Sequence, residues 1–269
     1  MKFYKNILVA AVLVSTGVAH ADQIDDVIDK GVLRCAVSLD FAPMGMRDEN
    51  NQPAGFDVDT CKDLAASLKV KAEIVDTPFA DRIPALMSDR ADVTIASTSD
   101  TMERAQTVGF SIPYAVFQLM IVKRKGTDIT TYESLKGHPV GGTAGTFEGD
   151  ALQADVKKWN DAAGSYRQYQ NQADLFLALE QGKIDAILVA NTISNSLIKS
   201  GKYPNIEIAG VAPIKPDFTS IVVKRKEYGM LNYVNLFINR QYREGRYAEL
   251  WGKWVGGEAP KLIADGVYR

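Results

Sequence analysis

The chain has 269 residues, 46% of them hydrophobic and 24% charged, with a formal net charge of −2 and two cysteines. That length holds one large domain or two lobes of ordinary size. A mildly acidic balance without a basic stripe argues against a nucleic-acid binder, and a single cysteine pair offers no metal framework.

The first residues read as an export signal. Lys2 and Lys5 give a basic start, Ile7 to Val14 an apolar core, and Ala19-His20-Ala21 a small-x-small cleavage site. The apolar run is too short to span a membrane, so residues 1–21 are expected to be a signal peptide cut after Ala21. Removing its two lysines takes the formal charge from −2 to −4, because the leader has no acidic residue and no arginine. No cysteine stands directly after the cleavage site, which argues against a lipid anchor. Cys35 and Cys61 lie on a predicted strand and the helix after it, in an oxidising destination. Two readings stand for them: one disulfide, or two small buried apolar residues.

Gly31–Val37 reads as a first strand, running into the loop Asp40-Phe41-Ala42-Pro43. Gly55-Phe56-Asp57-Val58-Asp59 leads into a helix with apolar positions Cys61, Leu64, Ala65 and Leu68 at helical spacing. Ala72–Val75 is a second strand. Asp81 then caps a helix that tolerates Pro84 in its first turn. Asp92–Ala96 has the β-branched content of a strand covered on both faces. A loop carrying Ser97, Thr98, Ser99 and Thr101 follows it, then a helix start at Arg104. Hydroxyls and N–H groups at the carboxyl end of such a strand, beside a two-pronged guanidinium, suit a small organic anion.

After the strand Gln118–Val122 the alternation restarts. Val140-Gly-Gly, a Gly145-Thr146 turn and a helix through Trp159 are followed by a helix over Ala173–Glu180 and a strand over Ile184–Val189. Ser220–Lys224 repeats the Val/Ile pattern of Leu119–Lys123, and such a pair predicts two crossovers between lobes. The end is helical, with Leu231, Val234, Phe237 and Ile238 on one face and Tyr247, Leu250, Trp251 and Trp254 packing the lobe. The fold class is therefore α/β, with residues 22–120 and 219–269 as lobe one and 121–218 as lobe two. A groove between hinged lobes is a natural ligand site.

The motifs, in order, resemble bacterial extracellular solute-binding protein family 3, the amino-acid-type receptors of ABC importers. The resemblance rests on Gly55–Ala65, Arg82-Ile83-Pro84-Ala85-Leu86, Thr101-Met102-Glu103-Arg104, Phe110–Tyr114, Gly145-Thr146 and Leu250–Gly256, and covers essentially the whole mature chain. It implies a two-lobed periplasmic binding protein (Venus flytrap) fold and residence in the periplasm. It also implies a monomer without cofactor that delivers a small carboxylate-bearing solute to an ABC permease in the inner membrane.

By that resemblance Arg104 holds the ligand carboxylate, Ser97 and Ser99 complete the grip, and Thr146 adds N–H groups from lobe two. Phe41 and Phe79 would sandwich the ligand's side chain. Arg82 would reach its distal end, or else pair with Asp81 or Asp100. One departure stands out: Ala190 occupies the position of the aspartate that family members use for the ligand ammonium. Asn191, Glu148 and Asp150 are the neighbouring substitutes, and a ligand without an α-ammonium is the other reading. The alternative function is that of an exported cyclohexadienyl-type dehydratase on the same fold, with Glu148 as its acid.

Overall fold

The computed structural model describes residues 22–262. Helix α1 (Gln23–Lys30) is capped by Asp22, whose carboxylate accepts from the N–H of Ile24 and also from Gly229 and Met230 at the far end of the chain. It leads through strand β1 (Val32–Val37), the short strands β2 (Met46–Arg47) and β3 (Pro53–Ala54), helix α2 (Phe56–Ser67) and strand β4 (Lys71–Asp76). A 3-10 turn over Phe79–Asp81 runs directly into α3 (Arg82–Met87), followed by β5 (Val93–Ser99), a second 3-10 turn over Arg104–Gln106 and β6 (Val108–Phe117).

The middle of the chain holds β7 (Leu119–Arg124), β8 (Pro139–Thr143), α4 (Phe147–Trp159), β9 (Ser165–Tyr169), α5 (Gln172–Glu180), β10 (Ala186–Ala190), α6 (Asn191–Ser200) and β11 (Ile206–Val211). The chain then returns through β12 (Asp217–Lys224), α7 (Tyr228–Arg243) and α8 (Arg246–Trp254).

Two five-stranded sheets organise these elements, in the orders β4-β1-β5-β12-β6 and β11-β7-β10-β8-β9. Each is mixed: β1 runs parallel to β4 and β5, while β12 runs antiparallel to β5 and β6. In the second sheet β8 runs parallel to β9 and β10, and β7 lies antiparallel to β10 and β11. Every residue of β5 is buried, as expected of a Val/Ile strand at a sheet centre. The α2 and α8 helices close over the first sheet, where the Phe56 ring meets Tyr247 and Trp251 edge-on at 5.6 Å each. Aromatic packing of this kind places the late tryptophan Trp251 in lobe packing. Cys35 and Cys61 form a disulfide that ties β1 to α2, which resolves the two readings of that pair.

The chain passes between the sheets twice, at Gln118 between β6 and β7 and across residues 212–216 between β11 and β12. Strand β12 lies wholly in the first sheet, so the two Val/Ile strands flank the crossings instead of spanning them. Register fixes what stands at this junction. Asp217 pairs with Phe117 just before Gln118, and Ala190 pairs with Leu119 just after it.

Three local expectations are corrected. Ser97, Thr98 and Ser99 belong to β5 itself, because β12 supplies ladder partners as far as Ser99. Arg104 begins a 3-10 turn and not an α-helix. Asp81 makes no side-chain cap bond, and α3 grows directly out of the 3-10 turn before it.

Candidate functional site

The cleft between the lobes is built around Arg82. Its position at the start of α3 aims the side chain under the end of β5, where it is 3% exposed. Nε donates to the Phe79 carbonyl at 2.9 Å, and Nη1 to the carbonyls of Ala96 (2.7 Å) and Ser97 (3.0 Å). Nη2 donates to the carbonyl of Gly145, in lobe two, at 2.7 Å. Four of its five N–H groups are thus bonded to backbone oxygens, one from Nε, two from Nη1 and one from Nη2. The guanidinium also lies 4.6 Å from the Phe79 ring centroid, a cation–π contact. Burial, and then the neighbouring Arg104, push its pKa below the ordinary arginine value, to about 9, so it remains a cation at neutral pH.

Ser97 shapes the carbonyl that Arg82 uses. Its φ of +47° is a left-handed conformation that costs energy for any residue except glycine. Three interactions hold it there. The Ser97 N–H donates to the Tyr114 hydroxyl at 2.9 Å, its Oγ donates to Asp57 at 3.3 Å, and its carbonyl accepts from Arg82. Tyr114 in turn donates to Asp57 at 2.8 Å. Asp57 is fully buried, and burial lifts its pKa to about 7 despite those two donors.

Arg104 stands beside this network. Nη1 donates to the Ser99 carbonyl at 3.3 Å and Nη2 to the Gly145 carbonyl at 3.0 Å, which leaves three of five N–H groups without a partner among the described residues. Its partly exposed side chain therefore has the greater capacity for a carboxylate, while Arg82 has one N–H left. Lobe two presents Gly145 with φ +76°, followed by Thr146 at the N-cap of α4. Thr146 Oγ1 accepts from the Gly149 N–H at 3.2 Å and donates to the Thr143 carbonyl at 2.9 Å, so that hydroxyl serves the cap.

Phe41, Phe79, Arg82, Ser97, Ser99 and Thr146 all border one narrow cleft between the lobes, with free room of only about 10 Å3. Six of the eight residues singled out in the sequence meet there. Arg104 lies at its edge, on the carbonyls of Ser99 and Gly145. Asn191 is set back: its N–H donates to the Gln118 carbonyl at 2.8 Å, and its buried Oδ1 has no partner among the described residues. Phe41 and Phe79 meet edge-to-face at 5.0 Å, and Phe117 joins Phe41 at 6.1 Å, so the rings form a continuous wall.

The same space is bordered by Phe117, Leu119, Phe147, Glu148, Ala190 and Asp217. Of these, Asp217 had no signal in the sequence beyond an acid at the start of a β-branched strand. It is 8% exposed and accepts from Ser99 Oγ at 3.0 Å. Burial raises its pKa to about 7, and burial together with the Asp217 charge does the same for Glu148, which is 7% exposed.

A larger hollow lies on the outer face of lobe one between α2 and α7, but its charges are paired with one another, Arg246 on Asp63 and Arg240 on Glu244. The interlobe cleft combines a buried cation, a partly exposed one, buried acids and an apolar wall. Among the described residues no group of acids, histidines and cysteines is arranged to hold a metal ion.

The chain is similar to known proteins along most of its length. It is 26% identical over 247 residues to the L-cystine-binding protein TcyJ of Escherichia coli (strain K12), covering 90% of each chain. Its structure is similar to that of a mutant of ArgBP from T. maritima, with a TM-score of 0.79 and 31% identity over 87% of this chain and all of that one. It is also similar to the ancestral amino acid-binding protein AncCDT-1, a precursor of cyclohexadienyl dehydratase, with a TM-score of 0.77 and 27% identity over 86% of this chain and 99% of the other. The model of one family matches residues 33–257, and on that match the chain belongs to the bacterial extracellular solute-binding proteins, family 3.

Proposed function

We propose that this chain is an exported receptor that captures one amino acid, or a close relative of one, between its lobes and delivers it to an ABC permease. The observation that carries this reading is the pair of arginines whose guanidinium groups meet the backbone of the opposite lobe at Gly145. A ligand carboxylate entering at Arg104 would meet unused donors there, with the hydroxyls of Ser97 and Ser99 close by and the Phe41–Phe79 wall against its apolar part. Closure then excludes water, which strengthens each charged contact. The names of the relatives, L-cystine-binding and arginine-binding, support amino acids as the class to test first.

A thermal-shift screen of the mature protein against amino acids tests this, because a ligand that binds only the folded state raises the midpoint by mass action. Arg104→Ala should abolish the shift. An unchanged shift would remove the carboxylate socket.

A second reading has one observation in its favour. Glu148 is a buried acid whose pKa lies near 7, the value a general acid needs at neutral pH, in a fold shared with a dehydratase precursor. Turnover of a prephenate-like acid that is lost in Glu148→Gln would support it.

A further inference from the structure

The cleft holds two acids that its cations do not neutralise by direct contact. Glu148 belongs to the first turn of α4, in lobe two, and Asp217 opens β12, in lobe one. Both border the interlobe cleft and both are more than nine-tenths buried. Among the described residues the carboxylate of Asp217 accepts one hydrogen bond, from Ser99 Oγ, and that of Glu148 has its own backbone N–H but no side-chain donor. Arg82 has four of its five N–H groups on backbone carbonyls, and Arg104 lies at the edge on two more. Closing the lobes therefore buries two carboxyl groups at one cleft, each without a salt-bridge partner among the described residues.

Register places Asp217 at the hinge. Asp217 stands opposite Phe117 on one side of Gln118, and Ala190 stands opposite Leu119 on the other. Ala190 borders the same cavity but brings no polar group. The acidic face at the junction is thus supplied from the lobe-one side of the crossing, and Glu148 faces it from lobe two.

We propose that Asp217 and Glu148 form a cation site split between the lobes, which accepts the ammonium of the ligand and makes an amino-bearing carboxylate the preferred solute. This deepens the receptor reading and rests on it. The charge balance supports it. Two arginines and two ionised acids sum to zero, and a zwitterion keeps that sum while giving each acid a cationic donor. A carboxylate without an amine would add a negative charge to a cavity already holding two buried acids. Burial raises the pKa of both acids, with the Asp217 charge adding to it at Glu148, although Arg82 and Arg104 pull both the other way. Asp217, fixed by Ser99 on lobe one, would meet the ammonium first, and Glu148 would arrive on closure.

Isothermal titration tests this with L-arginine, L-glutamine and L-cystine as probes, each beside the analogue in which hydrogen replaces the α-amino group. The parent should bind an amino acid at least about tenfold more tightly than its analogue. Asp217→Asn keeps the size of the side chain and an oxygen for Ser99. It should weaken the amino acid by about tenfold or more while leaving the analogue within about threefold, and Glu148→Gln should act in the same direction. Equal binding of amino acid and analogue by the parent overturns the split site without needing any variant to fold. Unchanged amino-acid binding in Asp217→Asn overturns it as well. In both cases the receptor reading survives. Where none of the three binds, the amino acid that shifts the melting midpoint and its analogue take their place, and failure of the parent to bind any amino acid overturns the receptor reading and this proposal together.

Discussion

Arg82 Nη2 donates to the carbonyl of Gly145 at 2.7 Å, so a cation buried in lobe one is bonded to the backbone of lobe two. Arg104 reaches the same oxygen at 3.0 Å. A third contact follows the pattern, from the Gln172 N–H to the Asp40 carboxylate at 2.9 Å. In all three, a lobe-one side chain meets a lobe-two main chain, which makes closure depend on backbone approach.

Gly145 is where that approach is tightest. A Cβ there would lie 2.7 Å from the Ala80 Cα and 2.8 Å from its N, and φ is +76°. Both features penalise any side chain. Gly145→Ala should raise the free energy of closing by about 1–3 kcal/mol, and so weaken ligand binding by about 5- to 150-fold. Titration calorimetry checks the affinity, and small-angle scattering at saturating ligand checks whether the lobes still shut.

Asp40 tests the outer latch. Its carboxylate accepts from the first residue of α5, at the positive end of that helix, and burial raises its pKa. Asp40→Ala should cost about 1.5–3 kcal/mol of closed-state stability, the range for a hydrogen bond to a charged group. Affinity should fall by at least about tenfold while the melting midpoint of the unliganded protein stays nearly unchanged. Parallel titration and melting measurements separate the two effects.

Asp57 predicts how stability depends on pH. It is buried inside lobe one with a pKa near 7, against about 3.8 when exposed. A raised carboxyl pKa means the folded chain keeps a proton that the unfolded chain has released. The stability it contributes is complete below about pH 4 and is lost as pH rises through about 7. Asp57→Asn keeps an acceptor for Tyr114 but cannot titrate. It should flatten the fall in melting midpoint between pH 5 and pH 8 by about 5–10 °C, measured without ligand by differential scanning calorimetry.

The Cys35–Cys61 disulfide closes a sequence separation of 26 residues. Chain entropy alone gives about 3.5 kcal/mol for a loop of that length. The Cys35→Ala, Cys61→Ala double variant should melt about 7–14 °C lower at pH 7 than the oxidised parent. Reductant should lower the parent's midpoint toward that of the variant and leave the variant unaffected.

Much of this architecture was legible because it follows from periodicity. The Val/Ile runs at β5, β7, β10 and β12 and the apolar stripes of α2 and α7 mark their elements directly. The short hairpin of β2 and β3 and the polar strand β9 were not read, because tertiary partners fix them without a strong hydrophobic period. Helix α6 was not read either, although Ile193 and Leu197 stand one turn apart on it. Ser97 to Ser99 looked like a loop because serine and threonine favour turns, yet pairing with β12 holds them in the sheet.

Arg82, Ser97, Ser99 and Thr146 could be named from motif spacing, but their bonding could not. That Arg82 is nearly saturated by backbone carbonyls, and Thr146 Oγ1 occupied by its own helix cap, depends on where two lobes meet. Asp217 was invisible for the same reason. It is 69 residues from Glu148 in sequence (217 minus 148), and only the second crossing brings it to the cleft. The expected signal peptide, residues 1–21, lies outside the described residues.

The most direct test of the receptor account is to incubate the mature protein with the amino acid that shifts its melting, titrate the complex, and then recover the small molecule for mass analysis. A receptor binds one molecule per chain saturably and releases it chemically unchanged after prolonged incubation. Conversion to a product, or the absence of saturable binding across the amino acids, would contradict it.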